Sequence, residues 1–379
     1  MLGLSIRNGF GLWRRRTAPS HPYPFGTPAA GNRKTQSLLG HASRPSGGTS
    51  MTFNLSRRSV LKVAAASVAT LAAPSVLRAK SFATKPVTII VGNAAGGAND
   101  TLARLLQPVL EAELGKPVLV ENRPGAAGNL GLSLAMQAAP DGHTLFCSSS
   151  VMLATAHTHI NSPGSPLEGL EHITMIGDGN FTYTAPTATG AKNYEEFRAL
   201  VKGKPGEIRH GTPGAGGNIH LSAELLKLRE KLDMPAIHYK AAGYLITDLL
   251  SNQIQLAINA IQLTEPHIRS GKLVPLFTAG KEREKRVEGV PTSVELGIKD
   301  MERITNWFAL HAPKGTPESI LAELHAASVK SIKSQPAVEK MTAGGWTPVG
   351  DSREAFTARL KSDDAIFGEV ARETGIRIG

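Results

Sequence analysis

The chain has 379 residues and a formal net charge of +11, a balance that by itself suits a nucleic acid or an anionic membrane as partner. The distribution excludes that reading. Residues 1 to 80 hold twelve Lys and Arg and no Asp or Glu, so the remainder carries 30 basic against 31 acidic side chains and has no field for steering a polyanion.

Residues 1 to 50 are rich in Gly, Pro, Ser and Arg, lack hydrophobic periodicity, and read as a disordered extension ahead of a start at Met51. Residues 51 to 83 read as an export leader. SRRSVLK at 56 to 62 resembles the twin-arginine motif, and the Ala-rich apolar run from Val63 to Leu77 is shorter than the roughly 20 residues that span a bilayer. Cleavage after Ala79 and cleavage after Ala83 both fit. The single cysteine, Cys147, excludes an intrachain disulfide and a multi-thiolate metal site, and no cysteine near residue 80 offers a lipid anchor. A soluble periplasmic protein is the expectation.

The exported part is long enough for two domains, and its pattern is mixed α/β. PVTIIV at 86 to 91 reads as a buried strand; Leu102, Leu105, Leu106, Val109, Leu110 and Leu114 then share one helical face, closed by Gly115. A strand at 117 to 121, a turn-rich NRPGAAGN, a helix near 130 to 138 and a strand after PDGH complete a parallel-sheet pattern. A second α/β unit follows residue 184. Its helices are expected at 194 to 201, 219 to 232 and 242 to 251, and its strands near 208 to 210, 236 to 239 and 255 to 259. The tail from Pro317 reads as helical.

Two glycine-rich loops stand at strand-to-helix junctions, VGNAAGGAND at 91 to 100 and TPGAGGNIH at 212 to 220. Neither has the G-x-G-x-x-G spacing of a dinucleotide loop or the G-K-[ST] ending of a phosphate loop, and neither carries a lysine. Helix N-termini present unpaired N–H groups and roughly half a positive charge, so two such loops facing each other can hold a carboxylate through backbone amides. Asn99 or Asp100, and Asn218, suit the N-cap positions.

From about Lys85 to Ile378 the chain resembles the periplasmic substrate-binding proteins of the tripartite tricarboxylate transporters, the Bug family. The resemblance is carried by AGGAND at 95 to 100 with Ala103 and Arg104, LGKPVLVENRPGAAGN at 114 to 129, PDGHTL at 140 to 145, GAGGNIH at 214 to 220, HYKAAG at 238 to 243 with TDLL at 247 to 250, PHIRSGKL at 266 to 273, and WFALHAP at 307 to 313. It implies a two-lobed type II periplasmic-binding-protein fold, a Venus-flytrap with its ligand cleft between the lobes. Crossings near Thr182 to Thr184 and Thr305 to Phe308 give lobe 1 residues 84 to 183 and 308 to 379, and lobe 2 residues 184 to 307.

The resemblance places ligand contacts at Ala94, Ala95, Gly96, Gly97 and Asn99, with Ser149 and Ser150, on the first lobe. Thr212, Gly214, Ala215, Gly216, Gly217 and Asn218 belong to the second. Asp100 is expected to cap its own helix and His220 to brace its loop. The family often has Ser or Thr where Gly217 stands, Tyr-Lys-Gly where Tyr239, Lys240 and Ala241 stand, and Asp where Asn259 stands. A neutral Asn259 would not favour an ammonium group, so the implied ligand is a small organic mono- or dicarboxylate without an amino group. The implied partner is the permease of a tripartite tricarboxylate transporter, or alternatively a signalling sensor; no nucleic acid is expected, and the protein is expected to be a monomer.

An enzyme fits poorly. No H-E-x-x-H or G-x-S-x-G occurs, and the pairs His157/His159 and His210/His220 lack companion ligands, so neither catalytic residue, cofactor nor metal is expected.

Overall fold

Strand β1, Val87–Val91, is β-branched at all five positions and buried on both faces, as a central parallel strand requires. In this computed structural model, which describes residues 81–379 apart from Ala241, it pairs in parallel with β2, Val118–Asn122, and with β3, Thr144–Ser149. The extension at 1 to 50 and the leader, except Ser81 to Ala83, lie outside the described residues. Helix α1, Ala98–Leu114, packs Leu102, Ala103, Leu106, Leu110 and Leu114 inward, and its Gly115 C-cap closes it on the Glu111 carbonyl. After α2 (Asn129–Met136), α3 (Val151–Thr158) and α4 (Pro166–Gly169), strand β4, Leu170–Asp178, ends the first pass through this sheet.

The chain then crosses at Gly179 and Asn180 and enters the second sheet as β5, Phe181–Pro186. Residues 181 to 183, which the sequence reading assigns to lobe 1, therefore pair in the second sheet. That sheet continues with α5 (Tyr194–Gly203), β6 (His210–Pro213), α6 (Asn218–Glu230), β7 (Ala236–Tyr239), α7 (Ala242–Leu250), β8 (Leu256–Ala260), α8 (Ile261–Arg269) and β9 (Leu273–Thr278). Its order is β7-β6-β8-β5-β9.

The chain returns through β10, Phe308–Pro313, then α9 (Glu318–Ile332), α10 (Gln335–Ala343), the short β11 (Thr347–Pro348) and α11 (Arg353–Thr374). The first sheet is thus β11-β4-β10-β3-β1-β2.

The two sheets are built alike. In each, the strand that follows a crossing, β5 or β10, is antiparallel to both neighbours, while β1 to β3 and β6 to β8 form parallel runs. The parallel strands end at the edge where the lobes meet; a chain crossing there must run away from that edge, hence antiparallel. The purely parallel sheets expected from the strand-helix alternation are in fact mixed for this reason.

Sequence reading assigns no strand to β4, β5, β9 or β10. Buried polar residues interrupt the apolar signal in β4, β5 and β10, and Pro275 interrupts it in β9. In β10, His311 is wholly buried, with Nε2 2.6 Å from Ser148 Oγ and Nδ1 3.0 Å from His172 Nδ1 of β4; Thr174 of β4 donates to the Asp351 carbonyl at 2.9 Å.

One apolar cluster runs through both lobes, joining Phe146, Met152 and Phe356 to Tyr183, Phe197 and Phe277. Helix α6 lies within it and packs on α3 and α11. The crossing segments are tied by the Asn306 N–H on the Gly179 carbonyl at 2.9 Å. The second glycine-rich loop therefore leads into a helix that packs against lobe 1 elements.

Candidate functional site

The two glycine-rich loops have the same construction. Each places a glycine at positive φ (Gly96 at 81°, Gly216 at 72°), then an extended glycine N-cap (Gly97 at φ −72°, ψ 170°; Gly217 at φ −80°, ψ 176°). In each, the third helical residue reaches back four positions. Asp100 Oδ2 accepts from the Gly96 N–H at 2.9 Å, and His220 Nδ1 accepts from the Gly216 N–H at 3.0 Å.

The caps are glycines, not the expected asparagines. Asn99 stands inside α1, its amide donating to the Cys147 carbonyl at 3.3 Å, and Asn218 is the first residue of α6. Glycine at the cap leaves no side chain between the first helical N–H groups and the space ahead of them.

Asp100 is buried, which pushes its pKa up, but hydrogen bonds from Arg104, Gly96 and Asn122 outweigh this and hold the carboxyl below its ordinary value. Arg104 Nε meets it at 3.0 Å. Under the second loop, His220 is edge-on to His238, ring centroids 4.6 Å apart, and His210 Nε2 lies 3.4 Å from Glu224. Burial would raise Glu224, yet His210 and Lys227 bring it down to about 2. Burial, then repulsion from His238, brings His220 down to about 4, so its Nδ1 is free to accept.

Between the loops lies a cleft of about 530 Å³, within the range of small-ligand sites. Of the expected contact residues, Ala94, Asn99, Ser149, Gly214, Ala215, Gly217 and Asn218 line it. The N–H groups of Ala98, Asn99 and Asn218 belong to first helical turns, where no intrahelical acceptor exists, and all three residues face this space.

The other seven are placed differently. Ala95 lies outside the lining. Gly96 and Gly97 spend their N–H groups within the loop, on Asp100 and on the Ala94 carbonyl. Ser150 is fully buried, donating to the Thr305 carbonyl at 2.9 Å and accepting from Asn218 Nδ2 at 2.7 Å. Thr212 is buried and closes its own turn on the Gly214 carbonyl at 2.6 Å.

Gly216 faces lobe 1 instead: its carbonyl lies 2.7 Å from Thr158 Oγ1, and a Cβ there would meet Thr158, Ile378 and His159 within 3.0 Å. Asn259 is 1% exposed inside the second sheet, in register with Thr182, which is in register with Thr278. Its Nδ2 and both threonine hydroxyls lack partners among the described residues. Strand register, which the sequence pattern left open, turns Asn259 away from the cleft.

The reading also omitted several lining residues. Pro124 to Gly128, the NRPGAAGN loop, form one wall, with Gly128 as N-cap of α2 at φ 97°. This loop sits close because glycines meet: a Cβ on Gly131 would fall 2.7 Å from the Gly92 Cα. Its glycine content was the available signal. Lys240 lines the cleft too, so a site free of lysine, as the loops alone suggest, is corrected.

The Cys147 thiol is buried, which pushes its pKa up to about 12 and makes it unreactive. Among the described residues no group of three or more His, Cys, Asp or Glu is placed to hold a metal ion.

Residues 102–373 match the tripartite tricarboxylate transporter family receptor, TctC. The chain belongs to that family. It is 32% identical over 328 residues to BugT of Bordetella pertussis, covering 86% of this chain and all of that one. A solved structure of the periplasmic binding protein BugD is 28% identical with a TM-score of 0.65, covering 78% of this chain and 99% of that chain. A structure of MatC from Rhodopseudomonas palustris with bound malate is 26% identical with a TM-score of 0.65, covering 76% and 99%. The TctC receptor described here thus has the two-lobed periplasmic-binding-protein fold. Its paired loops stand where the lobes face each other.

Proposed function

We propose that this TctC receptor is exported to the periplasm, captures a small organic carboxylate without an amino group between its lobes, and delivers it to the membrane subunits of a tripartite tricarboxylate-type transporter. One observation carries the reading: the glycine-capped first turns of helices from both lobes line one cleft with no acidic side chain in its wall among the described residues. Such termini attract an anion and give an ammonium group no counter-charge. The malate in the MatC structure is of the matching chemical class. No described helix is long and apolar enough to cross a membrane, consistent with a receptor that hands its ligand to separate membrane subunits.

Ligand bridging the lobes favours the closed form, which the membrane partner reads. Calorimetric titration with simple carboxylates and with amino acids tests the reading. Binding of carboxylates and not of amino acids is the expected result; tight binding of an amino acid with none of simple carboxylates overturns it.

A further inference from the structure

The second glycine-rich loop changes its anchor from one lobe to the other over a few residues. Gly214 is held to lobe 2, its N–H on the Tyr239 carbonyl of β7 at 2.8 Å, whereas the Gly216 carbonyl accepts from Thr158 Oγ1, at the end of α3 in lobe 1, at 2.7 Å. Asn218 then opens α6 and lines the cleft. The place of the α6 N-terminus is therefore set from lobe 1 as well as from lobe 2.

The lobe 1 surface that Gly216 meets is made in part by the residues after α11. Gly375 closes that helix in a left-handed conformation at φ 66°, and the residues after it return to the end of α3. There the Ile378 N–H donates to the Thr158 carbonyl at 2.8 Å and the Ile160 N–H donates to the Ile378 carbonyl at 3.0 Å, a parallel bridge opposite His159. These two bonds fix where the half-buried Ile378 side chain stands. Its Cγ1 lies 2.9 Å from the point that a Cβ on Gly216 would occupy, so it rests against the side-chain-free face of that glycine. A loop with three glycines between residues 214 and 217 has many conformations to lose, and ordering it only when ligand arrives would cost affinity. Packing from Ile378 orders it beforehand.

We propose that Ile378 is a positioning residue for ligand capture: packed on Gly216, it holds the second loop in the conformation that presents the first turn of α6 to the cleft. This rests on the carboxylate-receptor reading above and adds to it the element that orders one of the two loops in advance. Ile378 is not part of the cleft wall, so an effect of its truncation on affinity passes through the loop.

Two measurements on wild type, Ile378→Ala and Ile378→Val test the assignment. In ligand-free protein, hydrogen exchange over residues 214 to 220 is several-fold faster in Ile378→Ala, with residues 94 to 100 of the first loop unchanged and Ile378→Val close to wild type. In calorimetric titration with malate, butanedioate and butanoate, Ile378→Ala weakens each probe that binds wild type by about tenfold, the scale of truncating a half-buried isoleucine, and Ile378→Val recovers most of the loss. Unchanged exchange at 214 to 220, an acceleration spread evenly over both loops, or an undiminished affinity overturns the assignment while leaving the carboxylate reading intact. Failure of all three probes to bind wild type overturns the carboxylate reading, and the exchange result still decides whether Ile378 positions the loop.

Discussion

Asn218 Nδ2 donates to Ser150 Oγ at 2.7 Å, joining the first residue of the lobe 2 helix to the N-cap of a lobe 1 helix. The Gly216 carbonyl at Thr158 Oγ1 adds a second direct tie between the same loop and the same helix. Both contacts tie the second loop directly to a lobe 1 helix beside the cleft. Asn218→Ala removes one of them and is expected to shift the hinge toward open forms, lowering carboxylate affinity about tenfold, as one hydrogen bond in a buried setting is worth. Small-angle scattering of the ligand-free variant should show a larger radius of gyration than wild type. Equal radii and equal affinities would assign Asn218 no part in closure.

Gly216 and Gly217 are adjacent and should respond in opposite ways. Gly217 has φ of −80° and open space where a Cβ would be, so Gly217→Asp fits and supplies a favoured helix cap. Its carboxylate would occupy the anion position, so binding is expected to vanish while thermal stability stays level or rises. Gly216→Ala meets Thr158 Oγ1 at 2.8 Å in a left-handed conformation and should cost about 1 to 3 kcal/mol of stability. Thermal melts and titration of the two variants separate the effects.

Acid should destabilise the receptor between about pH 6.5 and pH 4. Burial, with repulsion from His238, lowers His220 to about 4, and burial lowers His172 to about 4, both from an ordinary 6.5. Both are neutral in the native state over this window, so the unfolded chain binds more protons. Stability therefore falls as pH is lowered, by about 1.4 kcal/mol per pH unit for each group. Asp363, which burial raises to about 6 against the pull of Arg359, acts in the opposite sense over part of the window and reduces the fall. Around His220 the charged and titratable groups are His238, Glu224, His210 and Lys227. In His220→Asn, the amide oxygen can still accept from Gly216 but does not titrate. Urea midpoints from pH 7 to pH 4.5 should then show a shallower slope than wild type, and an unchanged slope would remove His220 from the account.

On the proposed export reading, cleavage should follow Ala79. Phe82 packs edge-on against His143 with ring centroids 5.5 Å apart, its N–H bonds Glu323, and Ala83 is buried against the lobe 1 core. A mature chain starting after Ala83 would forfeit these contacts. Intact mass of the exported protein decides between a start at Lys80 and one at Thr84.

The helices were legible where apolar residues kept a helical period, as from Leu102 to Leu114, and the loops where glycines followed an apolar strand. What escaped reading depends on how distant segments meet. The antiparallel β10 is invisible locally because His311 interrupts its apolar run and finds its partners in β3 and β4. Asn99 and Asn218 suit a cap by residue type, yet Gly97 and Gly217 take that position, each following a glycine whose amide is braced by Asp100 or His220. Asn259 and Lys240 exchanged their expected importance for a related reason. Register buries the first, and the turn after β7 brings the second to the cleft.

The most direct test of the central claim is a crystal structure of the exported protein with the ligand it co-purifies with. The account predicts a carboxylate of that ligand within hydrogen-bond distance of the first-turn N–H groups at Asn99 of α1 and Asn218 of α6. A ligand without a carboxylate, or a carboxylate bound away from both helix N-termini, would contradict it.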